Sequence, residues 1–109
     1  GFSAFTNSDG IMYLAHPAVI SLSRYDEENG DTMREVLYFY LFYGQSIACT
    51  AERLHMHRNT VMNKVKRICQ MLNLNLEDRH LRQRLLFSCQ LLRYWEGVNK
   101  PETRKYILR

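Results

Sequence analysis

Between residues 46 and 72 two helical apolar beats stand only about three residues apart. The first, Ile47 to Leu54, follows Ser46 as an N-cap and turns Ala51 inward. The second restarts near His57 and places Val61, Val65, Ile68 and Leu72 at i, i+4, i+7 and i+11. Residues at that spacing line one stripe of a helix. A short helix, a tight break at His55 and Met56, and a longer helix give helix-turn-helix spacing. Small Ala51 lets the two helices approach, while Leu54, Met56 and Val61 supply apolar packing around the turn. The turn often carries glycine where this chain has His55, a residue that tolerates left-handed geometry better than most.

The flanking sequence is helical too. Residues 1–15 have no helical period and read as a lead-in, with a turn cluster at 7–10 and a short extended piece at 11–14. Pro17 suits the first position of a helix, expected to run to about Tyr25, with the acidic stretch 26–31 as a loop. Thr32 and Glu35 have capping-box spacing. Met33, Val36, Leu37, Tyr40 and Leu41 then form one buried stripe, closed by a left-handed Gly44. Residues 73–75 break the next helix. Asp78 is expected to cap a last one reaching about Glu96, with Leu81, Leu85, Cys89, Leu92 and Trp95 inward. Gly97 and Pro101 end it, and 97–109 is a tail. The expected fold is all-α: a compact bundle of about five helices over residues 16–96.

Several function classes drop out. A 109-residue chain that is 46% hydrophobic can bury one core without disulfides. Cys49, Cys69 and Cys89 are odd in number and widely spaced, which suits free thiols in a reducing cytoplasm. No apolar run approaches the roughly 20 residues of a membrane span, so no membrane partner is expected. The chain opens on Gly1, not Met, which reads as a piece of a longer protein. His55 and His57 stand at i and i+2, which do not share a helix face, and His16 and His80 are remote, so no metal or other cofactor is expected. No paired carboxylate, nucleophile–base pair or Gly-rich phosphate loop stands out. No catalytic residue is assigned, and an enzyme is not expected.

The charge is concentrated. From Gln45 to Leu72 the cations are Arg53, Arg58, Lys64, Lys66 and Arg67, against the single acid Glu52, and this segment accounts for the whole net charge of +4. Cations gathered on one element are the footprint of a nucleic-acid surface. On a helical wheel Asn59, Asn63, Lys66 and Gln70 lie opposite the apolar stripe, flanked by Met62 and Arg67. Arg58 falls in the first turn, the end that enters the major groove. Arg58, Asn59, Met62 and Asn63 are therefore the candidates for base edges. Ser46, His57, Lys64, Lys66 and Arg67 are the candidates for the DNA backbone.

Residues 16 to about 96 resemble the C-terminal helix-turn-helix domain of PucR-type bacterial transcriptional regulators. The resemblance is carried by Tyr25-Asp26, the helix closed by Gly44, and Thr50-Ala51 with Leu54. It continues through His57-Arg58-Asn59-Thr60, Lys66-Arg67-Ile68 and the Leu74-x-Leu76-x-Asp78 entry to the last helix. It implies a cytoplasmic module that binds double-stranded DNA at the end of a longer regulator, with a sensory domain upstream in the same chain. The family commonly has Arg and Tyr where this chain has Met62 and Asn63, so no operator preference carries over. A homodimer in the full-length protein is expected, since two-fold dimers read spaced half-sites. The rival reading is a helical interaction module without DNA binding. The helix 33–43 is apolar nearly all round, and Phe39 and Phe42 are its candidates for a dimer or interdomain contact.

Overall fold

The computed structural model describes residues 14–98. They form five helices: α1 (Pro17–Asn29), α2 (Met33–Phe42), α3 (Ile47–Leu54), α4 (Arg58–Leu72) and α5 (Arg79–Val98). There is no strand among the described residues. The expected all-α bundle is what forms; all but the last two residues of the lead-in expected over 1–15, and all but the first two of the tail expected over 97–109, lie outside the described residues.

The helix that is apolar on every side occupies the centre. α2 packs against each of the other four helices, which accounts for its buried apolar positions but not for Phe42, which stays exposed. Leu22 of α1, Met33, Val36 and Leu37 of α2, Val61 and Ile68 of α4, and Leu85 and Cys89 of α5 share the sealed core. Among the described residues, no buried side-chain nitrogen or oxygen lacks a hydrogen-bond partner.

α1 begins as its sequence indicates. His16 caps it, its Nδ1 accepting from the Ala18 amide at 3.0 Å, and Pro17 follows at the first helical position. The His16 amide donates to Ser88 Oγ at 2.7 Å, which ties the start of α1 to α5. Partial burial, with the nearby Arg84 charge, holds the His16 imidazole below its usual pKa; both effects disfavour the imidazolium.

The end of α1 differs from expectation. The helix does not stop at Tyr25 but continues through the acidic stretch to Asn29, and left-handed Gly30 (φ 61°) terminates it. Polarity alone does not break a helix, and no breaker precedes Gly30. The capping box at Thr32 also does not form, since the Thr32 side chain makes no cap bond. Asp26 takes that role across the turn: its Oδ1 accepts from the Met33 amide at 2.8 Å and its Oδ2 from the Arg34 amide at 3.0 Å. Arg34 reaches back, donating to both Glu96 oxygens at 2.8 and 2.7 Å and to Ser23 Oγ at 3.0 Å. Removing the carboxylate strands two amides of α2. Asp26→Ala is therefore expected to cost about 1–2 kcal/mol in urea unfolding, and Asp26→Asn less, because one acceptor oxygen survives. Equal stability of Asp26→Ala and the parent would contradict this assignment.

α2 closes as expected at Gly44 (φ 64°), but Gln45 is left-handed as well (φ 69°). The Gly44 amide bonds Leu41 O at 3.1 Å and the Gln45 amide bonds Tyr40 O at 2.7 Å, the paired closure of a Schellman end. At the far end of the chain Asp78 Oδ1 accepts from the His80 and Leu81 amides at 2.9 and 3.2 Å, the cap anticipated for α5. That helix runs through Gly97 to Val98 rather than stopping at Glu96.

Candidate nucleic-acid interface

α3 and α4 are joined by the tight turn that the spacing requires. Ser46 Oγ accepts from the Cys49 amide at 3.1 Å and starts α3. The buried Thr50 hydroxyl donates to Ser46 O at 2.7 Å and secures the same turn. His55 adopts the left-handed conformation (φ 54°, ψ 43°). Its amide bonds Glu52 O at 3.4 Å, and the Met56 amide bonds Ala51 O at 2.9 Å. Histidine thus fills a position where glycine is usual. Ala51, 4% exposed, sits inward where the helices converge.

His57 caps α4, its Nδ1 accepting from the Asn59 amide at 3.0 Å. Because Nδ1 accepts, the N–H of the ring is on Nε2. That N–H remains available for an anion at the mouth of the helix. Val61, Val65 and Ile68 are buried, with Leu72 half-buried behind them. The opposite face stands open: Arg58, Asn59, Met62, Asn63, Lys66, Arg67 and Gln70 are all exposed. Among the described residues the side chains of Arg58, Asn59, Asn63 and Lys66 have no protein partner. Arg67 leans over the Tyr25 ring with its guanidinium carbon 5.8 Å from the centroid, yet stays exposed.

Three of the candidate residues are placed differently from the rest. Lys64 does not join the open face. Its Nζ lies 2.7 Å from Asp31 Oδ1, behind α4 at the α1–α2 turn. That hydrogen bond holds the Asp31 carboxyl below its usual pKa, against the opposing effect of partial burial. Lys64 stands three residues after Val61, about 60° from it around the helix, so it flanks the buried edge and meets α1. Ser46 is half-buried with its oxygen engaged as a cap, which leaves its hydroxyl proton as the group free to bond outward. Phe39, expected at a dimer or interdomain contact, is only 5% exposed. Arg53 and Arg93 lie over its ring at 4.8 and 5.2 Å from the centroid. Phe42, 51% exposed, is the one of that pair presented outward.

Periodicity puts Gln70 on the open face with no role attached, and the α3–α4 pattern carries no signal for the arginines that open α5. Among the described residues no group of three or more His, Cys, Asp or Glu side chains is arranged to hold a metal ion. No described helix is long and apolar enough to cross a membrane. The free thiols are graded by burial: Cys49 is exposed, Cys69 half-buried and Cys89 buried, with desolvation pushing the Cys89 thiol up to about 12.

No curated protein and no solved structure gives a significant match to the chain. A family model described as the PucR C-terminal helix-turn-helix domain matches residues 33–91, from the start of α2 into α5, with the α3–turn–α4 unit inside it. The chain belongs to the family of PucR C-terminal helix-turn-helix domains.

Proposed function

We propose that this domain binds double-stranded DNA sequence-specifically as the C-terminal part of a cytoplasmic bacterial transcription regulator, with the N-terminal half of α4 in the major groove. One observation carries the reading: α4 buries Val61, Val65 and Ile68 along its apolar edge and leaves Arg58, Asn59, Asn63 and Lys66 exposed and unpartnered among the described residues. Long polar side chains held open on a rigid, buried-edge helix are positioned to bond a duplex without first breaking protein contacts. Arg58 can bond guanine bidentately, Asn59 or Asn63 can do the same to adenine, and Met62 can pack on a thymine methyl. Lys66, Arg67 and the His57 Nε2–H serve as backbone contacts, while Lys64, held by Asp31, is excluded from that set.

A single helix-turn-helix spans few base pairs, so the full-length regulator acts as a homodimer on spaced half-sites. Exposed Phe42, its ring tilted 32° to Tyr38 at 5.7 Å and edge-on to Tyr43 at 5.1 Å, is the candidate contact for the second copy or for the upstream sensory domain. Sedimentation of the full-length protein with Phe42→Ser checks this, and an unchanged mass removes Phe42 from the dimer contact.

Lys66→Ala tests the DNA reading. A phosphate anchor contributes charge but no sequence information. The variant should weaken binding equally on all duplexes and reduce the slope of log K against log salt by about 0.9. Binding by the parent that is insensitive to salt would defeat the proposal.

A further inference from the structure

Outside the segment that carries the net charge, α5 opens with Arg79, Arg82 and Arg84 and has no acid in its first turn. The macrodipole favours anions at that end of a helix and disfavours cations. Arg79, Arg82, Gln83 and Leu86 of α5 line a cleft of about 300 Å3 together with Leu41 of α2 and with Gly44 and Gln45 of the turn leading into α3. No acid is among the lining residues. The cleft holds roughly ten water volumes, room for a phosphodiester group and its hydration.

The two arginines are prepared differently. Arg82 Nη1 donates to Leu76 O at 2.7 Å and to Glu77 O at 3.1 Å. Main-chain carbonyls orient that guanidinium without neutralising it. Arg79 is exposed and has no side-chain partner among the described residues. The ion pairs among the described residues are Arg34–Glu96 and Lys64–Asp31, so neither arginine is in one. Neighbouring Asp78 turns its Oδ1 to the amides of His80 and Leu81. Gln45 Nε2 approaches Leu76 O at 3.5 Å, which joins the turn before α3 to the same loop. The cleft therefore adjoins the entry to α3, the helix that crosses the DNA backbone in a helix-turn-helix complex.

We propose that Arg79 and Arg82 form a second phosphate anchor, gripping the DNA backbone beside the groove that α4 enters. The inference rests on the DNA-binding reading given above. It extends the interface beyond the helix-turn-helix to the loop 73–78 and the first turns of α5. Arg79 supplies the mobile contact and Arg82 the fixed charge.

The test is fluorescence anisotropy of the full chain on a non-specific duplex over a KCl series, comparing the parent with Arg79→Ala, Arg79→Lys and Lys66→Ala. Arg79→Ala should reduce the salt slope by about 0.9 and weaken every sequence alike. Arg79→Lys should retain the slope, because a lysine still binds phosphate as a point charge. Thermal melting of Arg79→Ala should match the parent or rise slightly, since no side-chain hydrogen bond or ion pair is lost and the N-terminus of α5 sheds an unfavourable cation. An unchanged slope for Arg79→Ala beside a reduced one for Lys66→Ala would overturn the anchor and leave the DNA reading standing. If calorimetry shows that Arg79→Ala loses inorganic phosphate binding seen in the parent while its DNA slope is unchanged, the anchor is likewise overturned and the cleft is a small-anion site. Parent protein that binds no duplex at any salt would sink the DNA reading first, and the anchor with it.

Discussion

Ile68→Ala is expected to destabilise the domain by about 2–5 kcal/mol, the range for deleting a buried aliphatic side chain and leaving a cavity. Ile68 is 0% exposed and belongs to the core cluster that α4 shares with α2. Total stability of a small domain is about 5–15 kcal/mol, so this one change removes a large share of it. The side chain faces inward, opposite the exposed face of α4. Its loss should therefore weaken DNA binding only through the falling folded fraction. Urea unfolding should show a lower midpoint with an unchanged slope, and conditions that restore folding should restore binding. A cost below 1 kcal/mol would mean that α4 is not seated through this edge. Normal stability with abolished binding would mean that the two faces of the helix have been assigned the wrong way round.

Arg58→Ala is expected to cost about 1–3 kcal/mol at the preferred site, a roughly 5- to 150-fold loss of affinity at 1.4 kcal/mol per tenfold. Arg58 is exposed in the first turn of α4 and its side chain makes no hydrogen bond, ion pair or ring contact among the described residues, so stability should change little. The loss should be specific: large at the selected sequence and small on random duplex, where the arginine supplies only charge. Arg58→Lys should recover the random-duplex affinity but not the discrimination, because the planar fork that matches guanine is gone. Anisotropy on both duplexes at one fixed salt concentration separates these outcomes. Equal losses for Arg58→Ala and Lys66→Ala on every duplex would erase the division between readers and anchors.

The parts of this fold that were legible in the sequence are those set by residues close in the chain. The two beats of α3 and α4, the left-handed His55, the Asp78 cap and the Gly44 closure all follow from local spacing and local conformational preference. Asn59, Asn63 and Lys66 were placed on the open face by periodicity alone, and there they lie. What escaped depends on approach between helices. Asp26 looked like a solvated loop acid because nothing local says that α1 returns to α2 at that point. The amides it caps are seven and eight residues away, across a turn whose geometry the pattern does not encode. Thr32 had the right spacing for a cap and lost the position to a carboxylate from the preceding helix. Lys64 looked like a phosphate anchor until Asp31 arrived beside it. Phe39 looked available until two arginines covered it. A wheel assigns a residue to a face, but what a neighbouring helix lays over that face is a tertiary fact.

The most direct measurement is a backbone amide NMR titration of the full chain with a duplex recovered by selection from a random pool. Insertion of α4 predicts the largest shift changes at residues 57–67, with smaller ones where α3 begins and little change in the buried centre of α2. Shifts confined to the aromatic surface around Phe42, with the amides of Arg58 through Lys66 unmoved, would contradict it and identify the domain as an interaction module instead.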